Sequence, residues 1–139
     1  MNPINILLVE DDEVDVMDIT RWLAKLKIFH TLTVARNGEE AIDILTYCES
    51  GDRPLPDIVL IDTNMPKMNG IELLEAIRSN ESWRHLKCFM LTASDHKPER
   101  PGAKKLEVSG YITKPLKPSS YSNMDAFNLM IDLMNFKSR

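Results

Sequence analysis

The sequence predicts an α/β fold, a parallel sheet covered by helices on both faces. Three observations carry that expectation. Short, wholly apolar runs recur along the chain, as strands buried on both faces require. Stretches with apolar residues spaced three and four apart lie between them. The two kinds of segment alternate from end to end, the pattern of β-α-β units rather than of hairpins. At 139 residues the chain has the size of one domain.

The strands expected in order are ILLV (Ile6 to Val9), a weaker TLTVA (Thr31 to Ala35), DIVLI (Asp57 to Ile61), CFML (Cys88 to Leu91) and a weaker GYI (Gly110 to Ile112). Helical spacing links Val16, Ile19, Leu23 and Leu26, then Ala41, Ile42 and Leu45, then Leu73, Leu74 and Ile77. The segment from Pro118 to Lys137 reads as the last helix. Its Tyr121, Met124, Phe127, Met130, Ile131 and Met134 exceed what one core stripe needs. The surplus is either core packing with spare apolar surface or a contact surface, since thioethers adapt to varied partners and exposed apolar patches mark interfaces.

Composition narrows the function classes. A formal net charge of −4 and a pI near 5.4 oppose a nucleic-acid backbone as ligand, because such affinity comes from clustered Lys and Arg. No apolar run approaches the ~20 residues of a membrane span, and MNPINILLVE lacks the basic flank and cleavage site of a signal peptide. A cytoplasmic protein without a membrane partner is expected. Cys48 and Cys88 show no metal-ligand spacing and fit a reducing compartment.

Ligands of such sheets sit at the carboxyl ends of the strands. The first strand runs into Glu10, Asp11 and Asp12, the third ends in Asp62, the fourth in Thr92 and Ala93, and the fifth is followed by Thr113, Lys114 and Pro115. Singly each has an ordinary reading: acids cap helices, an Asp starts a turn, a Thr forms strands, a Lys is a solvated charge. Together they bring carboxylates, a hydroxyl and an ammonium to one edge. Carboxylates held close repel and call for a cation, and Mg²⁺ takes one or two of them while keeping water and phosphate oxygens. With Lys114 and Thr92 as donors, that is what a transferring phosphoryl group needs, with Asp62 as nucleophile.

The ordered runs NILLVEDD (Asn5 to Asp12), DIVLIDTNMPKMNG (Asp57 to Gly70), MLTAS (Met90 to Ser94) and GYITKP (Gly110 to Pro115) make the chain resemble the receiver domain of two-component response regulators over nearly its whole length. The resemblance implies a single receiver domain over 1–139 without an output domain, a flavodoxin-like doubly wound sheet of order 2-1-3-4-5, and phosphorylation of Asp62 by a sensor histidine kinase or a histidine phosphotransfer protein. It implies Mg²⁺ on Glu10, Asp11, Asp62 and the backbone carbonyl of Asn64, with Asp12 outside the acidic pair. It also implies phosphoryl contacts from Thr92 and Lys114, Thr92 and Tyr111 as the switch pair, and a cis peptide at Pro115. A partner, whether the kinase, a relay protein or a second copy of the chain, then carries the output. The runs EDDEVD, DRPLPD and NESWRHLK are most similar to stand-alone receivers of the phytochrome-associated type.

Two departures stand out. Pro98, Pro101 and Gly102 fall where receivers form a fourth helix, so a short or irregular helix beginning near Pro101 is expected. Glu107 occupies a position where receivers often carry a helix-ending Gly. Rival readings fit less well. A haloacid dehalogenase-type phosphatase expects a second Asp two residues after the nucleophile, where Asn64 stands. A flavin carrier expects a Ser/Thr/Gly-rich loop where the acids stand. A non-phosphorylated pseudo-receiver adaptor is the remaining alternative, opposed by the intact set of Glu10, Asp11, Asp62, Thr92 and Lys114.

Overall fold

The computed structural model describes residues 3–63, 65, 68–93, 107–114 and 121–137. Five strands, β1 (Ile4–Val9), β2 (His30–Ala35), β3 (Ile58–Asp62), β4 (Lys87–Ala93) and β5 (Gly110–Lys114), alternate with helices α1 (Glu13–Lys25), α2 (Gly38–Tyr47), α3 (Gly70–Ser79) and α4 (Tyr121–Lys137). All neighbouring strands are parallel, in the order β2-β1-β3-β4-β5, the doubly wound order that the resemblance implies. The short helix expected near Pro101 falls outside the described residues.

The apolar runs are uninterrupted because each strand feeds two cores at once. Successive strand side chains point to opposite faces. Ile4, Ile6, Leu8, Ile58, Leu60, Phe89, Leu91 and Ile112 pack under α1 and α4, against Ile19, Trp22, Leu23 and Met130. Leu7, Val9, Val59, Ile61, Cys88 and Met90 pack under α2 and α3, against Ala41, Leu45, Leu73, Leu74 and Ile77. The edge strand β2 alternates half-buried and exposed residues until Ala35. At the opposite end from the site, Asn5 N–H donates to Asp57 Oδ2 at 2.7 Å and Asp57 N–H donates to the Asn5 carbonyl at 2.7 Å, fixing the register of β1 on β3.

Local signals set the helix ends. Asp12 caps α1, accepting from Val14 N–H at 2.8 Å and Asp15 N–H at 3.3 Å. Asn37 caps α2, and Asn69 forms a reciprocal capping box with Glu72 on α3. Lys27 ends α1 in the left-handed region, φ 57°, a place that glycine usually takes. After α2 the chain makes a wide π-type turn, Cys48–Asp52, in which Gly51 adopts φ 111°; the sequence reading did not anticipate it. Of the apolar surplus expected on the last helix, Met130 is fully buried and Ile131 and Met134 pack against the core. Core packing therefore accounts for these three, and Met130 is no part of an open contact surface. The side chains of Tyr121, Met124 and Phe127 lie outside the described set.

Candidate functional site

The strand parity that builds the two cores also sorts the polar residues at the carboxyl edge. Glu10 continues the row Ile4, Ile6, Leu8; Asp62 continues Ile58, Leu60; Lys114 continues Ile112, all on the side covered by α1 and α4. Thr92 and Tyr111 have the other parity, and Tyr111 packs half-buried against the core beneath α2 and α3. Thr92 is buried, one residue beyond the β4 partner of Asp62, and registers with Thr113 on β5.

Lys114 crosses this edge. Its Nζ donates to Asp15 Oδ2 at 2.8 Å, to Glu10 Oε1 at 2.9 Å and to Asp62 Oδ1 at 3.4 Å. Glu10 is wholly buried and Asp62 nearly so. The second Glu10 oxygen accepts from Asp12 N–H at 3.3 Å. One carboxylate oxygen from each of Glu10, Asp11 and Asp62 lies within 4.8 Å of the others, with Asp11 exposed at the rim.

The electrostatics follow from this crowding. Burial, together with a hydrogen bond to Asp62 and that carboxylate's charge, pushes the Glu10 carboxyl up to about 7 against the opposing pull of Lys114. Burial disfavours the Lys114 ammonium, but the hydrogen bonds it donates to Asp15 and Glu10 and the charges of Asp62 and Glu10 outweigh it and raise its affinity for the proton. Without a metal, then, the carboxylates are held together by one lysine, with the Glu10 carboxyl drawn toward its protonated form. An all-oxygen group of this charge, rimmed by an exposed Asp11, fits a hard divalent cation.

Backbone packing positions the end of β3. The first residue of α3, Gly70, lies so close to the end of β3 that a Cβ there would stand 2.5 Å from the Asp62 carbonyl oxygen and 3.0 Å from Thr63 Cα. Only glycine lets the capped start of α3 approach Asp62 this closely. Glu107 sits ahead of β5 at φ 56°, and Arg78 on α3 secures it, donating to its carbonyl at 3.0 Å and to the Arg84 and Leu86 carbonyls at 2.8 and 2.9 Å.

Of the residues selected from sequence, Glu10, Asp11, Asp62 and Lys114 come together, with Thr92 at the neighbouring strand end. Asn64 and Pro115 fall outside the described residues. Asp15 was missed: an acid in the first turn of a helix is ordinary, and only the run EDDEVD hinted at a further carboxylate.

A model of the response regulator receiver domain matches residues 6–124. The probable methanogenesis regulatory protein FilR2 of Methanothrix harundinacea is 36% identical over 115 residues, 83% of this chain and 74% of FilR2. The response regulator Rcp1 of Synechocystis is 33% identical over 110 residues, 78% of this chain and 75% of Rcp1. The Mn²⁺-bound structure of Rcp1 aligns with a TM-score of 0.71 at 30% identity, covering 96% of this chain and 94% of that one. The bacteriophytochrome response regulator AtBRR aligns with a TM-score of 0.77 at 30% identity, covering 95% and 92%.

Proposed function

The chain belongs to the response regulator receiver domain family, and we propose that it accepts a phosphoryl group on Asp62 and signals by the change of surface that follows. The observation that carries this reading is the Lys114 ammonium bridging Glu10 and Asp62 across the ends of β1, β3 and β5, with Asp11 beside them. An Asp62 carboxylate oxygen bonds to phosphorus as the bond from phosphorus to the donor's leaving group breaks, and that group departs with the electron pair. The leaving group is the imidazole of a phosphohistidine on a sensor kinase or phosphotransfer protein, or acetate from acetyl phosphate. Lys114 and Thr92 then serve the phosphoryl oxygens, since preorganised donors stabilise charge where it develops.

Receiver domains bind Mg²⁺ at an acidic pocket, and here Glu10, Asp11 and Asp62 are the residues to hold it. When bound, the ion supplies positive charge that offsets repulsion between the carboxylates and the incoming phosphate oxygens. Similarity to Rcp1 and to a bacteriophytochrome response regulator supports a phytochrome-type histidine kinase as donor. Among the described residues no helix is long and apolar enough to cross a membrane.

The test is direct. Acetyl phosphate with Mg²⁺ adds one phosphoryl group to the native protein, read by intact mass, and adds none to Asp62→Asn. Equal labelling of both proteins places the acceptor elsewhere and overturns the assignment.

A further inference from the structure

We propose that Asp15 is the positioning residue for Lys114, holding the ammonium from outside the carboxylate group so that it stays beside Asp62 when a cation engages Glu10. This rests on the reading of Asp62 as phosphoacceptor. A lysine ammonium has three N–H donors, and in this site Asp15, Glu10 and Asp62 stand at 2.8, 2.9 and 3.4 Å from Nζ. The two short contacts are strong charge-assisted bonds; the third is long and weak. The head is thus gripped by Asp15 and Glu10, and the donor left toward Asp62 is the one free to take a phosphoryl oxygen.

The two gripping carboxylates are not equivalent. Glu10 belongs to the group whose oxygens lie within 4.8 Å of one another. A divalent cation there competes with Lys114 for Glu10 and repels it as a like charge. Asp15 lies outside that group, on the first turn of α1, where Asp12 receives its backbone N–H at 3.3 Å. It is the carboxylate that keeps Lys114 in place once Glu10 turns to the metal. Without it, the ammonium either competes with the cation for Glu10 or leaves the edge.

Asp15→Asn tests this, since the amide keeps the shape and removes the charge. In the native protein the Lys114 ammonium protons are expected as a protected signal in ¹H–¹⁵N spectra, retained on titration with Mg²⁺ alone. In Asp15→Asn that signal is broadened or lost when Mg²⁺ is added. Phosphorylation by acetyl phosphate at saturating Mg²⁺ should slow about ten-fold in Asp15→Asn, less than the ~100-fold that a catalytic group misplaced by ~1 Å can cost, because the amide still accepts one hydrogen bond from Lys114. Against a Lys114→Gln background the same change should alter the remaining rate less than about two-fold, because a residue acting through Lys114 has nothing left to act on. An equal slowing in both backgrounds makes Asp15 a plain source of negative charge and overturns the proposal. So does a Lys114 signal indifferent to Asp15→Asn. Failure of the native protein to be labelled at Asp62 refutes the phosphoacceptor reading instead, and the ammonium spectra still decide whether Asp15 holds Lys114.

Discussion

Two ion pairs in this molecule join the same kinds of group in different surroundings. Arg36 Nη1 stands 3.3 Å from Glu13 Oε1 on the surface, with the two side chains 48% and 77% exposed. Lys114 Nζ stands 2.9 Å from Glu10 Oε1, with the side chains 21% and 0% exposed. Arg36 follows the edge strand β2, which is half open to water; Glu10 follows β1, which is covered on both faces. Water and salt damp the first pair, and each partner is well solvated without the other. At the second pair neither group can recover its hydration if its partner is lost. Burying a strand on both faces thus turns the residues at its end into chemistry, while an edge strand's end remains ordinary surface.

The largest break in that contrast should come from Lys114. Replacing it with Met leaves Glu10 and Asp62 buried together without their cation. In metal-free buffer Lys114→Met should lose about 3 kcal/mol in urea unfolding, the lower end of the range for a broken buried pair because the site is open on Asp11's side. Millimolar Mg²⁺ should return part of the loss. A change below about 1 kcal/mol in metal-free protein would mean that protonation of Glu10 already relieves the crowding, so that the lysine is not what holds the edge together.

The proton on Glu10 supplies a second, smaller test. The carboxyl titrates near 4.5 in an unfolded chain and about 7 in the folded one. Between these values the folded protein retains a proton that the unfolded chain has released, so stability falls as pH rises through the window. The ceiling is about 1.4 kcal/mol per unit; because the slope eases as the pH nears the folded value, a loss on the order of 2 kcal/mol from pH 5 to pH 7 is expected in metal-free protein. Urea midpoints across this range should show the slope in the native chain and a flatter one in Glu10→Gln. Saturating Mg²⁺ should flatten it as well, since a cation replaces the proton.

The same contrast explains what the sequence made legible. The five strands followed from runs such as Ile58 to Ile61, which are apolar throughout because both faces of β3 are covered; their order followed from the resemblance to receiver domains. Glu10, Asp62 and Lys114 were legible because each stands where such a run stops. Asp15 was not, since its contact with Lys114 depends on how α1 seats over β1 and β5, and helical periodicity gives the buried stripe without the reach of its first turn. Met130 was ambiguous for a related reason: apolar spacing on a helix with more than one apolar side does not say which side faces the sheet. The turn at Cys48–Asp52 depends on a single Gly51 with positive φ, and no pattern around it distinguishes that turn from an ordinary helix end.

The smallest effect belongs to the surface pair, and it sharpens the comparison most cleanly. The Arg36 backbone N–H donates to Glu40 Oε1 at 3.1 Å, a contact that survives any change of the Arg36 side chain, so Arg36→Ala removes the guanidinium without disturbing the start of α2. Glu13 is a different matter, because an acid in the first turn of α1 also interacts with the helix dipole, and Glu13→Ala alone would mix the two contributions. A double-mutant cycle over Arg36→Ala and Glu13→Ala cancels the dipole contribution and leaves the coupling between the side chains. That coupling should be below about 0.5 kcal/mol at low salt and close to zero at about 1 M salt, where the screening length is only ~3 Å. The equivalent cycle over Lys114 and Glu10 should stay well above it and respond less to salt. If the surface pair were instead to couple by more than about 1 kcal/mol, exposure would not be what separates the two pairs. The distinction between the covered end of β1 and the open end of β2 would then rest on geometry alone.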